Sequence, residues 1–134
     1  MDPEKYLHSE ITEKIIGAFY KVYNTLGYGF LERVYENAMI IELREMGMEV
    51  DPQMPIKVFY KNQEVGYYKS DLIVEKSVLV ENKAAEDLCE DHEYQLINYL
   101  KASNIEVGLL LNFGKEPSFK RKVFTNKKNH PKSA

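Results

Sequence analysis

Two acids and a lysine, Asp71, Glu81 and Lys83, stand at spacings that one face of a β-sheet can collect. If Glu75-Lys76-Ser77 is the loop of a hairpin, Val74 pairs with Val78, Asp71 falls opposite Glu81, and Lys69 falls opposite Lys83. Side chains alternate along a strand, so Glu81 and Lys83 share a face, and Asp71 points to the same one. Facing carboxylates repel by a few tenths to about 1 kcal/mol when exposed, and by more when partly buried. The neighbours Leu72, Ile73, Val74, Leu79 and Val80 are apolar, which suits central strands. A divalent cation is the natural partner of such a pair. Mg²⁺ takes one or two carboxylates and keeps several waters. Lys83 would then stabilise developing negative charge and orient an attacking water. The spacing alone equally fits two strand-end acids in water with Lys83 as their salt-bridge partner.

The elements that must position these residues can be read from periodicity. Ile11, Ile15, Ile16, Ala18, Phe19, Val22, Tyr23 and Leu26 recur at helical spacing, with Ser9 or Thr12 as cap and Gly27-Tyr28-Gly29 as the stop. A second helix is expected from about 31 to 46, with Leu31, Val34, Ala38, Ile41 and Leu43 as apolar positions and Gly47 closing it. Asp51-Pro52 and Pro55 then break helix. Strands are expected over 56–60, 65–74 and 78–84, with Lys61-Asn62-Gln63-Glu64 as a turn. A capping-box pattern at 87–90 opens a helix to about Ala102. Residues 106–113 form a largely apolar strand, as in a sheet's middle, and 119–125 an edge strand. The expected fold is a mixed sheet flanked by helices, in the order α-α-β-β-β-α-β-β.

Composition narrows the function classes. The 134 residues suit one domain, with 44% hydrophobic and 29% charged residues, as in soluble globular chains. No apolar run approaches the roughly 18–20 residues that span a bilayer, and the N-terminus lacks a signal-peptide pattern, so a cytoplasmic location is expected. Cys89 is the single cysteine, which excludes an intrachain disulfide and reads as an inert helix-start residue. The net charge of −3 hides an asymmetry. Residues 115–134 hold seven Lys/Arg against one acid, a balance of +6, so the rest of the chain carries −9. An acidic body does not attract polyanions, whereas the basic tail can do so locally. Zinc-ligand spacing, an aromatic-rich RNA-binding signature and a basic recognition helix are all lacking. Tyr67 and Tyr68 stand close to the acids and offer rings for base stacking.

Gly29, Glu32 and Tyr35 stand as Gly-x-x-Glu-x-x-Tyr. Together with Asp71, the Glu81-Asn82-Lys83-Ala84 run, the run from His92 to Leu100, and Gly108-Leu109-Leu110-Leu111-Asn112-Phe113-Gly114, they resemble the GxxExxY family, grouped with PD-(D/E)xK nuclease-like proteins. The resemblance covers about residues 9–125. It implies a restriction-endonuclease-like fold and an Mg²⁺- or Mn²⁺-dependent nuclease. By position it implies Asp71 and Glu81 as metal-binding acids, the Asn82 carbonyl as a further ligand, and Lys83 as the active-site lysine. Glu32 matches an early-helix acid beside the site, and Gln95 with Tyr99 resembles the Gln-x-x-x-Tyr motif of RecB-type nucleases. The family more often has an apolar residue at position 82. Other readings assign Tyr35 to the core, Gly29 to a positive-φ backbone position and His92 to the helix start. The competing functional expectation is a catalytically silent module that binds nucleic acid or protein. A homodimer is expected, since many small nuclease-like domains need a second copy to hold a duplex.

Overall fold

The computed structural model describes residues 7–125. Helices α1 (Ser9–Leu26) and α2 (Glu32–Glu45) lead into strands β1 (Val50–Pro52), β2 (Pro55–Tyr60), β3 (Gln63–Lys69), β4 (Leu72–Val74) and β5 (Val78–Lys83). Helix α3 (Glu90–Ala102) and strands β6 (Val107–Asn112) and β7 (Ser118–Val123) follow. A five-stranded sheet has the order β1-β4-β5-β6-β7, and β2 pairs with β3 in a separate two-stranded sheet. Only β5 and β6 are parallel, joined through α3, as a parallel pair requires a crossover.

Each sheet face has its own core. Val78 and Val80 point toward α1 and α2, meeting Ile15, Phe19, Tyr35, Met39 and Leu43. Leu79 and Leu110 point the other way, toward Leu96, Tyr99 and Leu100 of α3. Glu81 and Lys83 continue the Leu79 side by alternation. They therefore lie on the α3 face. Gly108 leaves room for α3 there, because a Cβ would stand 2.8 Å from Leu96 Cδ1 and force that buried side chain to shift.

The strand expected over 65–74 is two strands in different sheets. Strands β1 and β4 pair with Pro52 opposite Leu72, and β2 and β3 continue the same register with Pro55 opposite Lys69. The four strands are thus one antiparallel ribbon with a bend. Gln53, at φ 56°, marks the bend, and the Gln53 N–H to Asp71 O (3.0 Å) and Ser70 N–H to Met54 O (2.9 Å) bonds carry the pairing across it. The bend folds β2 over the α3 face, where Ile56 joins the Leu79 cluster. Lys69 accordingly lies opposite Pro55, not opposite Lys83. Strand β1, where a break was expected, and this division account for the two extra strands.

Several expected details hold. Val74 pairs with Val78 around Glu75-Lys76-Ser77, and Gly27, Gly29 and Gly47 take positive φ. Others shift. The hairpin turn is the two-residue Lys61-Asn62, both at positive φ, with Gln63 already paired to Tyr60. Helix α1 begins after His8 without a side-chain cap. Helix α2 buries Tyr35, Glu36, Met39 and Leu43, while Leu31 and Ile41 are exposed. Of the apolar positions expected on that helix, Leu43 is buried and Ala38 packs against the core, whereas Leu31, Val34 and Ile41 face solvent and Tyr35 and Met39 take their place in the core.

Tyr35 anchors the entry to α2. Its ring stacks on Phe113 at 4.3 Å, and Phe19 meets Phe113 edge-on at 4.8 Å. Its hydroxyl donates to Gly27 O (2.7 Å) and accepts the Phe30 N–H (3.2 Å). Tyr35→Phe keeps the stack and leaves both main-chain groups without that partner. We expect urea unfolding of Tyr35→Phe to show a loss of about 1–3 kcal/mol with an unchanged m-value; wild-type stability would mean that water serves the loop equally well.

Candidate metal and catalytic site

Strands β4 and β5 stop pairing at Leu72 and Val80. Just beyond, Asp71 Oδ2 accepts the Asn82 N–H at 2.7 Å, so a side chain continues where the ladder ends. This bond fixes the carboxylate against the strand that carries Glu81. The far end of that strand is also fixed. The Phe113 N–H donates to Lys83 O (2.8 Å), and the Asn112 amide clamps Ala85, accepting from its N–H (2.9 Å) and donating to its carbonyl (3.0 Å). Gly114 permits this approach, since a Cβ would lie 2.2 Å from Ala85 O.

Glu81 is 5% exposed, and its Oε1 has no hydrogen-bond partner among the described residues. Burial, then the charge and hydrogen bonding of Asp71, push its carboxyl up to about 9, against a smaller opposing pull from Lys83. Lys83 Nζ donates to Gln95 Oε1 at 3.0 Å. One turn on, Tyr99 is buried against Tyr68, with ring centroids 4.8 Å apart. Its hydroxyl is pushed up to about 12, by burial first and then by Glu81, Tyr68 and Asp71. Asp71, Glu81, Lys83, Gln95 and Tyr99 are therefore neighbours linked by hydrogen bonds and electrostatic influence between β5, α3 and the bent ribbon.

Glu32 opens α2 and is exposed. The acid of this helix that lies under the influence of Asp71 is Glu36, one turn on and 7% exposed. Gln53 Nε2 donates to its Oε1 at 2.6 Å, and Arg33 stands 3.8 Å from its Oε2. Burial raises its carboxyl above the ordinary range, and the charges of Asp71 and Glu32 add to the rise. Sequence reasoning missed Glu36. The available signal was an acid on the Tyr35–Met39–Leu43 stripe. His92 caps α3 by accepting the Cys89 N–H (3.2 Å) at Nδ1. The side chain of Asn82 points away from the acids, 1% exposed, with neither amide atom partnered among the described residues.

The donor set suits a hard cation of the Mg²⁺ type, which needs only one or two carboxylates. The buried, unpartnered oxygen of Glu81 is the observation behind that fit. No group of three or more His, Cys, Asp or Glu side chains suited to a metal occurs among the described residues.

The five-stranded mixed sheet with helices on both faces is a restriction-endonuclease-like fold, with its acids at the end of a central strand pair. The sequence model of the PD-(D/E)XK nuclease superfamily matches residues 9–123, and the chain belongs to that superfamily. Among solved structures, that of SSO0001 is similar with a TM-score of 0.53 at 18% identity, covering 92% of this chain. This chain spans 62% of the SSO0001 chain, and the likeness concerns the fold. No curated protein matches significantly. No helix among the described residues is long and apolar enough to cross a membrane.

The buried acid has a measurable consequence. Unfolded, Glu81 releases its proton near its ordinary 4.5; folded and metal-free, it holds it to about 9. The folded state binds the extra proton between these values, so its stability is greatest below the lower one and falls as pH rises toward the upper. In EDTA, we expect the urea midpoint to drop from pH 5 to pH 8.5, and Glu81→Gln to flatten this drop. An equal slope in the variant would place the titration elsewhere.

Proposed function

We propose that this chain is an Mg²⁺- or Mn²⁺-dependent nuclease of the GxxExxY type, hydrolysing phosphodiester bonds in nucleic acid. The observation that carries the reading is the buried Glu81 carboxyl with an unpartnered oxygen, beside Asp71 and within the influence of Lys83. Asp71 and Glu81 hold the cation, with the main-chain carbonyl of Asn82 as a further ligand. When bound, the cation supplies Lewis-acid stabilisation of the charged phosphorus centre and a more acidic water. Lys83 orients the attacking water and neutralises charge on a phosphate oxygen. Gln95 occupies one of the three donors of Lys83 and aims the ammonium group, leaving the others for substrate. Tyr99 and Tyr68 exclude water from one side of the pair. Glu32 is the further acid in this scheme, with the buried Glu36, held by Gln53, one turn on along the same helix. One acid pair cuts one strand, so cutting both strands of a duplex takes a second copy of the chain. A cytoplasmic setting belongs to the same reading.

A second reading keeps the fold without turnover, as a module that binds nucleic acid or protein. Two observations favour it: the ligand set is thin among the described residues, and the body is acidic. Lys127, Lys128 and Lys132 of the basic tail lie outside the described residues, while Lys120 to Lys122 belong to β7.

Incubation with single- and double-stranded DNA and RNA separates the two readings. We expect cleavage with Mg²⁺ or Mn²⁺, none with EDTA, and a loss of at least about a hundredfold in Asp71→Ala, Glu81→Ala and Lys83→Ala, the scale of removing an electrostatic stabiliser. Cleavage that persists in all three would sink the assignment.

A further inference from the structure

The part of the ribbon beyond its bend is poorly explained by folding alone. Every residue of β3 is exposed, and on β2 only Ile56 is buried. Large apolar side chains nonetheless stand along it, including Tyr60 (64% exposed) and Tyr68 (47%). Residues 55–69 carry Lys57, Lys61 and Lys69 against Glu64, a balance of +2 on an otherwise acidic body.

These rings have a defined arrangement. Tyr68 pairs with Ile56, whose side chain packs on the α3 face, so this side of the hairpin overlooks the acids. Alternation puts Val58 and Tyr60 on the same side, since the extra residue of the bulge, Val65, lies on β3. Gly66 pairs with Val58 between the two rings, and a Cβ there would meet nothing within 4 Å, which leaves a low place in the surface. Lys61 Nζ stands 5.5 Å from the Tyr60 ring centroid. Tyr68 is continuous with the site through its contact with Tyr99.

We propose that the β2–β3 hairpin is an arm that grips an unpaired nucleic-acid strand, with bases stacked on Tyr68 and Tyr60 and a phosphate beside Lys61. Flat exposed rings with Lys61 beside them suit bases on a charged backbone. Lys69 and Lys57, the latter 3.7 Å from Glu64, lie on the other side of the hairpin by alternation. A duplex does not fit, because its base faces are covered by neighbours about 3.4 Å away along each strand. From the Tyr68 position to Tyr60 the arm extends by about 13 Å of strand rise, so only separated bases reach both rings. The substrate class is therefore single-stranded nucleic acid. This inference rests on the nuclease reading for its purpose, but binding is measurable without cleavage.

The test uses the full chain in EDTA, with fluorescein-labelled oligo-dT, oligo-dA and oligo-rA and a duplex of equal length, read by anisotropy. Tyr60→Ala, at the solvent-exposed tip, should weaken single-strand binding roughly five- to a hundredfold. Tyr60→Phe should retain it, and duplex binding should change little in either. Tyr68→Ala should act in the same direction, with its fold checked by circular dichroism. Unchanged single-strand binding in Tyr60→Ala, an equal loss of duplex binding, or no wild-type binding to any strand overturns the proposal. So does a wild-type dimer that Tyr60→Ala splits without affecting strand binding, since the face then belongs to a second copy. Ring-dependent binding without cleavage under any metal refutes the hydrolase and keeps the arm. Metal-dependent cleavage with ring-independent binding does the reverse.

Discussion

A buried carboxyl beside a second, half-buried one needs a positive charge or a proton between them, and most of this structure serves to keep the two together. Asp71 is tied by the Asn82 N–H, and Glu81 sits on a strand fixed at its far end by Phe113 and Asn112. Separating the acids would relieve their repulsion, but it would break the strand ending that Asp71 completes. Without metal, burial first and then the charge of Asp71 favour a proton on Glu81 and push its carboxyl up to about 9. A bound cation would displace that proton.

The bend in the β1–β4 ribbon gives this pair its surroundings. A straight ribbon would carry β2 and β3 on from β1 and β4 and leave α3 to cover this face without Ile56 and Tyr68. Bent at Gln53, it brings Ile56 onto the α3 cluster and Tyr68 onto Tyr99, so the acids lose water on one side. The same bend frees the rest of the hairpin to project. The cover over Glu81 and the exposure of the arm are two results of one backbone event.

Much of this was legible in the sequence. The Glu75-Lys76-Ser77 loop length set the register that brings Asp71 to Glu81, and α1 and α3 span the residues their periodicity predicts. The bend was not legible, because the register is the same on both sides and only the plane changes. Glu36 escaped because an acid on a core stripe looks like an ordinary surface residue until its partners, Gln53 and the charge of Asp71, are brought to it by tertiary packing. At Asn82 the sequence runs against the fold. A buried amide with no partner among the described residues costs about 1–3 kcal/mol, where an apolar side chain would cost nothing.

The central claim is that Asp71 and Glu81 converge on one cation. Crystals grown with Mn²⁺ and measured near the manganese absorption edge locate that ion by its anomalous scattering. The account predicts a single strong peak within coordination distance of both carboxylates, about 2.0–2.3 Å from their oxygens, and its loss in Glu81→Gln. A peak elsewhere on the chain, or none while the two acids stay in place, would contradict it.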